Sequence, residues 1–396
     1  MSDNTRRTFL KAVGIAVGTA SVGTAATKTG VRPSGVAGEA TATDTRTESV
    51  EDESSTDSVP GTGWRYSTAE PIYDAPAVSS DSVFAGASGG YVYAIDRISG
   101  KKRWRARPDD RRVFAPVYAD GIVYARGNQS FTALNAETGA VEWSTTIESG
   151  VSADPLVHEG TVYVPSPRFD PSPKLYAFDA KTGETKWTFD GDGCEYARMT
   201  PGVGVENGSV FLLDERTLWK LDPDDGSVRG SYADENQDDF YAFAHGADTV
   251  YGSRDGETPT DTVALDTSDG SERWTTSFGD DTPVRLSAEG ETLYVTNTEQ
   301  GLGRLIAVDA TSGAERWRFE EPRGDNYLSR ATVSGDAVFV GANRRLYELD
   351  AADGTERQRW EATESIMTTP AVTDDGVYST TKDGQTGFVY SFDRGE

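Results

Sequence analysis

The sequence of 396 residues has one cysteine, two histidines and three methionines. A lone thiol, Cys194, excludes an intramolecular disulfide. With only His158 and His245, no obvious histidine-based metal site or catalytic triad can be assembled. Lysine is scarce as well, nine against 29 arginines, and the net charge is −27. So acidic a surface repels a polyanion, which argues against nucleic acid as a partner. The apolar run from Ala12 to Ala26 is modest and rich in Gly and Thr, unsuited to a membrane anchor, and no transmembrane helix is expected in the mature chain.

What is present suffices for a large core: 36% hydrophobic residues, eight Trp and 17 Tyr. The 42 glycines imply many tight turns and an all-β chain. An acidic, lysine-poor surface suits concentrated salt, where repulsion is screened over short distances and hydrated carboxylates maintain solubility. The composition is that of a halophilic, haloarchaeal-type protein; a merely acidic protein of ordinary habitat is the alternative.

Residues 1–26 read as a twin-arginine signal peptide. Arg6-Arg7-Thr8-Phe9-Leu10-Lys11 precedes the apolar run, and small residues close it. An amphipathic N-terminal helix is the competing reading. Export to the cell exterior or envelope follows, with no cysteine placed after the run for a lipid anchor. Residues 27–60 are acidic and Ser/Thr-rich, with almost nothing to bury, and are expected to form a disordered tether or simple spacer.

Residues 61–396 carry a repeat of about 40 residues. Each copy reads as two short strands, a longer connection, a strand ending Ala-φ-Asp, a Gly-containing turn and a last strand ending in Trp. The copies end at Trp104, Trp143, Trp187, Trp274, Trp317 and Trp360; a degenerate one, Trp219 to Tyr232, has Gly230 where the aromatic belongs. The turn glycines can take the positive φ of a tight hairpin, Ala leaves room for a large neighbour, Asp can accept turn amides, and Trp is expected to pack between blades. A last copy stops before its fourth strand, while Gly63-Trp64-Arg65-Tyr66 stands alone upstream, 40 residues before Trp104. The expected fold is therefore all-β: an eight-bladed β-propeller, four antiparallel strands per blade, its ring closed by the Trp64 strand completing the last blade.

The Ala-x-Asp-x-x-x-Gly-x-x-x-Trp pattern resembles the pyrroloquinoline-quinone (PQQ) repeat, or quinoprotein-like, family over essentially all of residues 61–396; six copies keep both Gly and Trp. That family includes dehydrogenases using PQQ and Ca²⁺ as well as non-enzymatic propellers of the BamB type, and fold resemblance alone does not choose between them. The dehydrogenases it implies are longer, with adjacent cysteines and a Ca²⁺-binding carboxylate set; a single cysteine departs from that pattern. The resemblance thus points to the BamB-like, non-enzymatic branch, with no cofactor expected, and PQQ and Ca²⁺ kept as the alternative.

In such a ring the long, varied connections share one face: 105–115, 165–174, 189–200, 233–242, 253–262 and 320–330. Variable loops on a rigid face favour binding. Arg112, Asp154, Arg198, Arg285 and Arg330 precede innermost strands and would ring the channel mouth. The four arginines either form an anion site for a carboxylate, phosphate or quinone or pair with nearby acids. Phe169, Tyr196, Phe240, Tyr241 and Tyr327 either form a contact surface or pack beneath their own loops. Asp190, Asp192 and Glu195 space oxygen ligands at near-alternate positions without the terminal glutamate of an EF-hand loop; Asp222-Pro223-Asp224-Asp225-Gly226 falls on an ordinary repeat turn. Asn128-Gln129-Ser130 and Asn207-Gly208-Ser209 fit the glycosylation triplet. The expectation is a monomeric scaffold, without catalytic residues, binding a protein, glycan or envelope component; a reduced PQQ- or Ca-dependent dehydrogenase and a small-anion sensor are the alternatives.

Overall fold

A computed structural model of the chain describes residues 56–57, 63–109, 111–147, 150–151, 153–166, 174–191, 202–213, 217–233, 240–246, 248–254, 261–278, 281–299, 302–322, 327–366, 368–381 and 386–394. Residues 1–26, read above as a signal peptide, lie outside these residues, as do most of 27–60, read as a tether. Among the described residues there is no helix, and hence none long and apolar enough to cross a membrane.

The strands form eight antiparallel sheets. Blade 1 comprises Ala77–Val78, Ser82–Gly86, Val92–Asp96 and Lys102–Ala106, and the same four-strand meander recurs through blade 7, which ends with Glu356–Glu361. Blade 8 takes Ala371–Val372, Gly376–Thr380 and Gly387–Asp393 from the C-terminal end and Trp64–Thr68 from the N-terminal side. Trp64 stands opposite Ser391 and Thr68 opposite Gly387, so the ring closes as the repeat phase anticipated. Thr56–Asp57, expected to be tether, instead adds a fifth, two-residue strand beyond Trp64–Thr68, pairing with Tyr66 and Arg65.

The core is a ring of eight separate clusters, one between each pair of neighbouring blades. The repeat residues explain this division. Six motif tryptophans project into the next blade, each lying against its turn glycine: Trp64 on Gly100, Trp104 on Gly139, Trp143 on Gly183, Trp187 on Gly226, Trp274 on Gly313 and Trp317 on Gly354. The indole N–H of Trp143 donates to the Ala180 carbonyl at 3.1 Å, and that of Trp104 to Ala136 at 2.9 Å, bonds that fix the angle of each plug. Opposite the Trp, on its own hairpin, sits the small residue: Ala94 faces Trp104, and Ala177 faces Trp187. The motif Asp accepts turn amides, as Asp309 does from Ser312 at 2.9 Å.

Blades 4 and 7 depart from the pattern together. Gly230 pairs with Lys220, in the register slot a Trp would fill, and Tyr232 opposite Leu218 takes over the docking role. In blade 7 the two-residue extension before Trp360 places it opposite Leu346, the corresponding rung. The degenerate copy thus still supplies an aromatic plug, two residues further along the strand.

Candidate functional site

At the mouth formed by the inter-blade connections, the first half of the ring is closed by internal ion pairs. Arg112 pairs with Asp74 at 2.9 Å and stacks over Tyr73 and Phe114, at 4.8 and 4.5 Å from the ring centroids. The other face of this cluster holds Arg126, which lies 4.6 Å from the Phe114 centroid and 3.2 Å from Asp154. Asp74 precedes blade 1, Arg112 and Phe114 lead into blade 2, Arg126 ends the second strand of blade 2, and Asp154 precedes blade 3. One aromatic ring and two acid–arginine pairs therefore stitch three blades together. Pairing with a nearby acid, rather than an open anion site, holds for Arg112. Arg126 was missed by sequence reasoning because it ends an otherwise apolar, buried strand and belongs to no repeat motif.

Across the mouth the arrangement differs. Arg285 lies within the innermost strand of blade 6, Asp281–Glu289, opposite Thr296. Its guanidinium is half-buried and stacks on Tyr327 at 4.4 Å from the ring centroid. It donates to the Tyr327 hydroxyl and reaches the Leu328 carbonyl at 3.5 Å. Burial, together with the charge of Arg330, holds the Arg285 guanidinium below its ordinary pKa, against the opposing pull of Tyr327. Arg330 is exposed. Among the described residues neither cation has an acidic partner. Tyr327 is thus a stacking platform for Arg285, half-buried under its own connection.

The remaining sequence candidates are dispersed. Arg198, Asp192, Glu195, Phe169 and Tyr196 lie outside the described residues, as does the Tyr241 side chain. Asp190 is exposed. Among the described residues no group of three or more His, Cys, Asp or Glu side chains is arranged to hold a metal. Phe240 is buried against Gly252 and belongs to the core between blades 4 and 5. His245 contacts Glu206 at 3.2 Å, and Asp222 is held by Arg229 at 2.6 Å on its turn. The Ser of the first glycosylation triplet, Ser130, donates to Asp109 at 2.5 Å, while Asn128 is exposed.

Two further arrangements escaped sequence reasoning. Glu321 is fully buried, paired with Arg345 and accepting from the Tyr347 hydroxyl at 2.6 Å; burial and this carboxylate push the Tyr347 phenol up to about 12. On the opposite face of the ring, a groove of about 530 Å³ runs between the short turns of blades 1 to 3, lined by Asp81, Arg103, Tyr118, Asp120, Glu142 and Lys181 among others.

Comparison with known proteins follows the fold. A family model described as outer membrane protein assembly factor BamB matches residues 38–144, 88–319 and 301–396. The outer membrane protein assembly factor BamB of Yersinia pestis is 24% identical, over 81% of this chain and 84% of that protein. The quinohemoprotein alcohol dehydrogenase of Comamonas testosteroni is also 24% identical, over 72% of this chain but 39% of that enzyme. The serine/threonine-protein kinase AfsK of Streptomyces coelicolor is 26% identical over 43% of this chain, which spans only 20% of the kinase. Among solved structures, BamB from Moraxella catarrhalis superposes with a TM-score of 0.62 at 16% identity, covering 86% of this chain and all of that one (100%).

Proposed function

Since the chain belongs to the outer membrane protein assembly factor BamB family of PQQ-type repeats, we propose that it is a non-catalytic scaffold. In this reading it is exported by the twin-arginine route, works in concentrated salt, and binds a protein or glycan component of the cell envelope through the face bearing the long connections. One observation carries the reading: the match to the Yersinia BamB takes in 84% of that protein, whereas the dehydrogenase is matched over 39% of its length. The propeller corresponds to nearly the whole of the first and to a part of the second. Consistent with this, the motif Trp, Gly and Asp residues are engaged in blade docking, and the variable connections are left to differ.

A pull-down from the native envelope fraction at high salt, with the full exported chain as bait, tests the proposal. A defined envelope component retained in salt and released by excess free propeller is the expected result; retention of nothing beyond a charge-matched control propeller overturns it. The second reading, a PQQ- or Ca²⁺-dependent dehydrogenase with a reduced site, draws on the dehydrogenase match over 72% of this chain. A bound-quinone spectrum on adding PQQ and Ca²⁺, with alcohol- or sugar-dependent dye reduction, would replace the scaffold by that enzyme.

A further inference from the structure

We propose that Arg285, Arg330 and Tyr327 form a carboxylate-binding site at the channel mouth, beside blades 6 and 7. The contrast within one ring carries the inference. On the opposite side the same kind of position is filled by acid–arginine pairs, Asp74 with Arg112 and Asp154 with Arg126. Here two cations stand together, and the half-buried one has a hydroxyl and a carbonyl for partners rather than a carboxylate. The chain carries 65 acidic residues and a net charge of −27, yet among the described residues none of them pairs with Arg285 or Arg330.

The physical chemistry favours an incoming anion. A guanidinium removed from bulk water beside a second positive charge is unfavourable until an anion compensates both. Burial, against the pull of Tyr327 and together with the Arg330 charge, weakens the hold of Arg285 on its proton. Stacking on Tyr327 fixes the plane of the fork, whose five N–H groups outnumber the two acceptors it meets, the Tyr327 hydroxyl and the Leu328 carbonyl, so that one edge keeps donors to give. A planar edge of this kind matches a carboxylate bidentately. Arg330, exposed on the approach, supplies the second charge.

The site deepens the scaffold reading, on which it rests only for where the carboxylate comes from. That group belongs either to a small organic acid or to an acidic side chain or C-terminus of a protein partner. The test uses the full chain at constant high ionic strength, with succinate replacing chloride in one arm and a short glutamate-rich peptide added in the other, binding being read from thermal melting and calorimetry. Saturable binding of either probe, weakened about tenfold in Arg285→Gln and less in Arg330→Gln, is the expected result. Tighter peptide binding that succinate displaces assigns the carboxylate to a partner; succinate saturating alone assigns it to a small acid. A response that is unsaturable, or unchanged in both arginine variants, overturns the site. Because Arg330 is exposed, Arg330→Gln keeps the test decisive if Arg285→Gln folds poorly. Envelope pull-down with Arg330→Gln separates the two ideas: undiminished capture alongside weakened succinate binding keeps both the scaffold and the small-acid site, and absence of capture by the wild type alongside intact succinate binding removes only the scaffold.

Discussion

Tyr232 lies directly against Gly270: a β-carbon built on that glycine would fall 1.7 Å from Tyr232 Cδ1. Its hydroxyl donates to the Ser268 carbonyl at 3.3 Å, while Lys220 Nζ takes the Thr267 carbonyl at 2.8 Å, the acceptor position a motif Trp uses, so the tyrosine reproduces the plug from two residues further along the strand and leaves the bond to the lysine. Gly270 has a φ of 75°, which by itself disfavours any other residue by about 1–2 kcal/mol. Gly121 has a φ of 83° and open space where its β-carbon would go. Gly121→Ala therefore isolates the backbone cost, and Gly270→Ala is expected to lose more, the excess measuring the displaced ring. Urea unfolding of both variants at one salt concentration supplies the comparison; equal losses would refute the docking role of Tyr232.

Ring closure rests on packing more than on charge. Trp64 is buried between blades 8 and 1, against Gly100, and donates to the Arg97 carbonyl at 2.9 Å. The Arg97 side chain bridges the same seam to Asp375, whose carboxylate is 62% exposed. Trp64→Ala is expected to cost about 3–5 kcal/mol as a large-to-small core change. Asp375→Ala is expected to cost under about 1 kcal/mol, in the range of surface pairs. Denaturation midpoints rank the two, and a larger loss for Asp375→Ala would reverse this account of the seam.

How much of this was readable in advance follows from the range of each interaction. The Trp-to-Gly dockings repeat at fixed spacing, so blade number and the closing role of Trp64 were legible. The role of Tyr232 was not, because it depends on which rung the aromatic occupies after the turn bulge. Arg126 and Asp154 lie 28 positions apart with no motif joining them. Arg112 and Arg285 look alike in sequence, yet one meets Asp74 and the other meets Tyr327. Which acids come within reach is decided by how neighbouring blades dock.

Blades 4 to 7 share a turn clamp in which the motif Asp holds the arginine seven residues on: Asp222 with Arg229, Asp266 with Arg273, Asp309 with Arg316 and Asp350 with Arg357, each at 2.6 Å. Blade 2 swaps both members, Asn135 donating to Glu142 at 2.9 Å. Arg316 beside Asp309 and Arg357 beside Asp350 hold those carboxyls below the ordinary 3.8, and the Ser268 hydroxyl and Arg273 do so for Asp266. Depressed folded values mean that this stability is fully present above 3.8 and is lost as pH falls through the folded values. Arg316→Gln should therefore lower stability at neutral pH, raise the acid-unfolding midpoint, and converge with the wild type only once the pH has fallen below the depressed folded value of Asp309. Chemical denaturation across pH at fixed salt checks it; a gap that persists or widens in acid counts against the clamp.

The Arg126–Asp154 pair makes the sharpest forecast, because its two ends sit in different surroundings. Arg126 is 7% exposed and its Nε has no hydrogen-bond partner, whereas the Asp154 side chain is 59% exposed. Taking a guanidinium out of water is costly, and a single carboxylate that remains largely solvated repays only part of that cost. What favours Arg126 is its contact with Phe114, a term that an apolar side chain of similar length also supplies. Arg126→Met is accordingly expected to be neutral or stabilising by about 1 kcal/mol or more. Asp154→Ala should be the worse variant, since it leaves the buried charge with no acidic partner. The order of the two melting temperatures decides the matter: Arg126→Met melting below Asp154→Ala would show that the pair stabilises the mouth more than packing does.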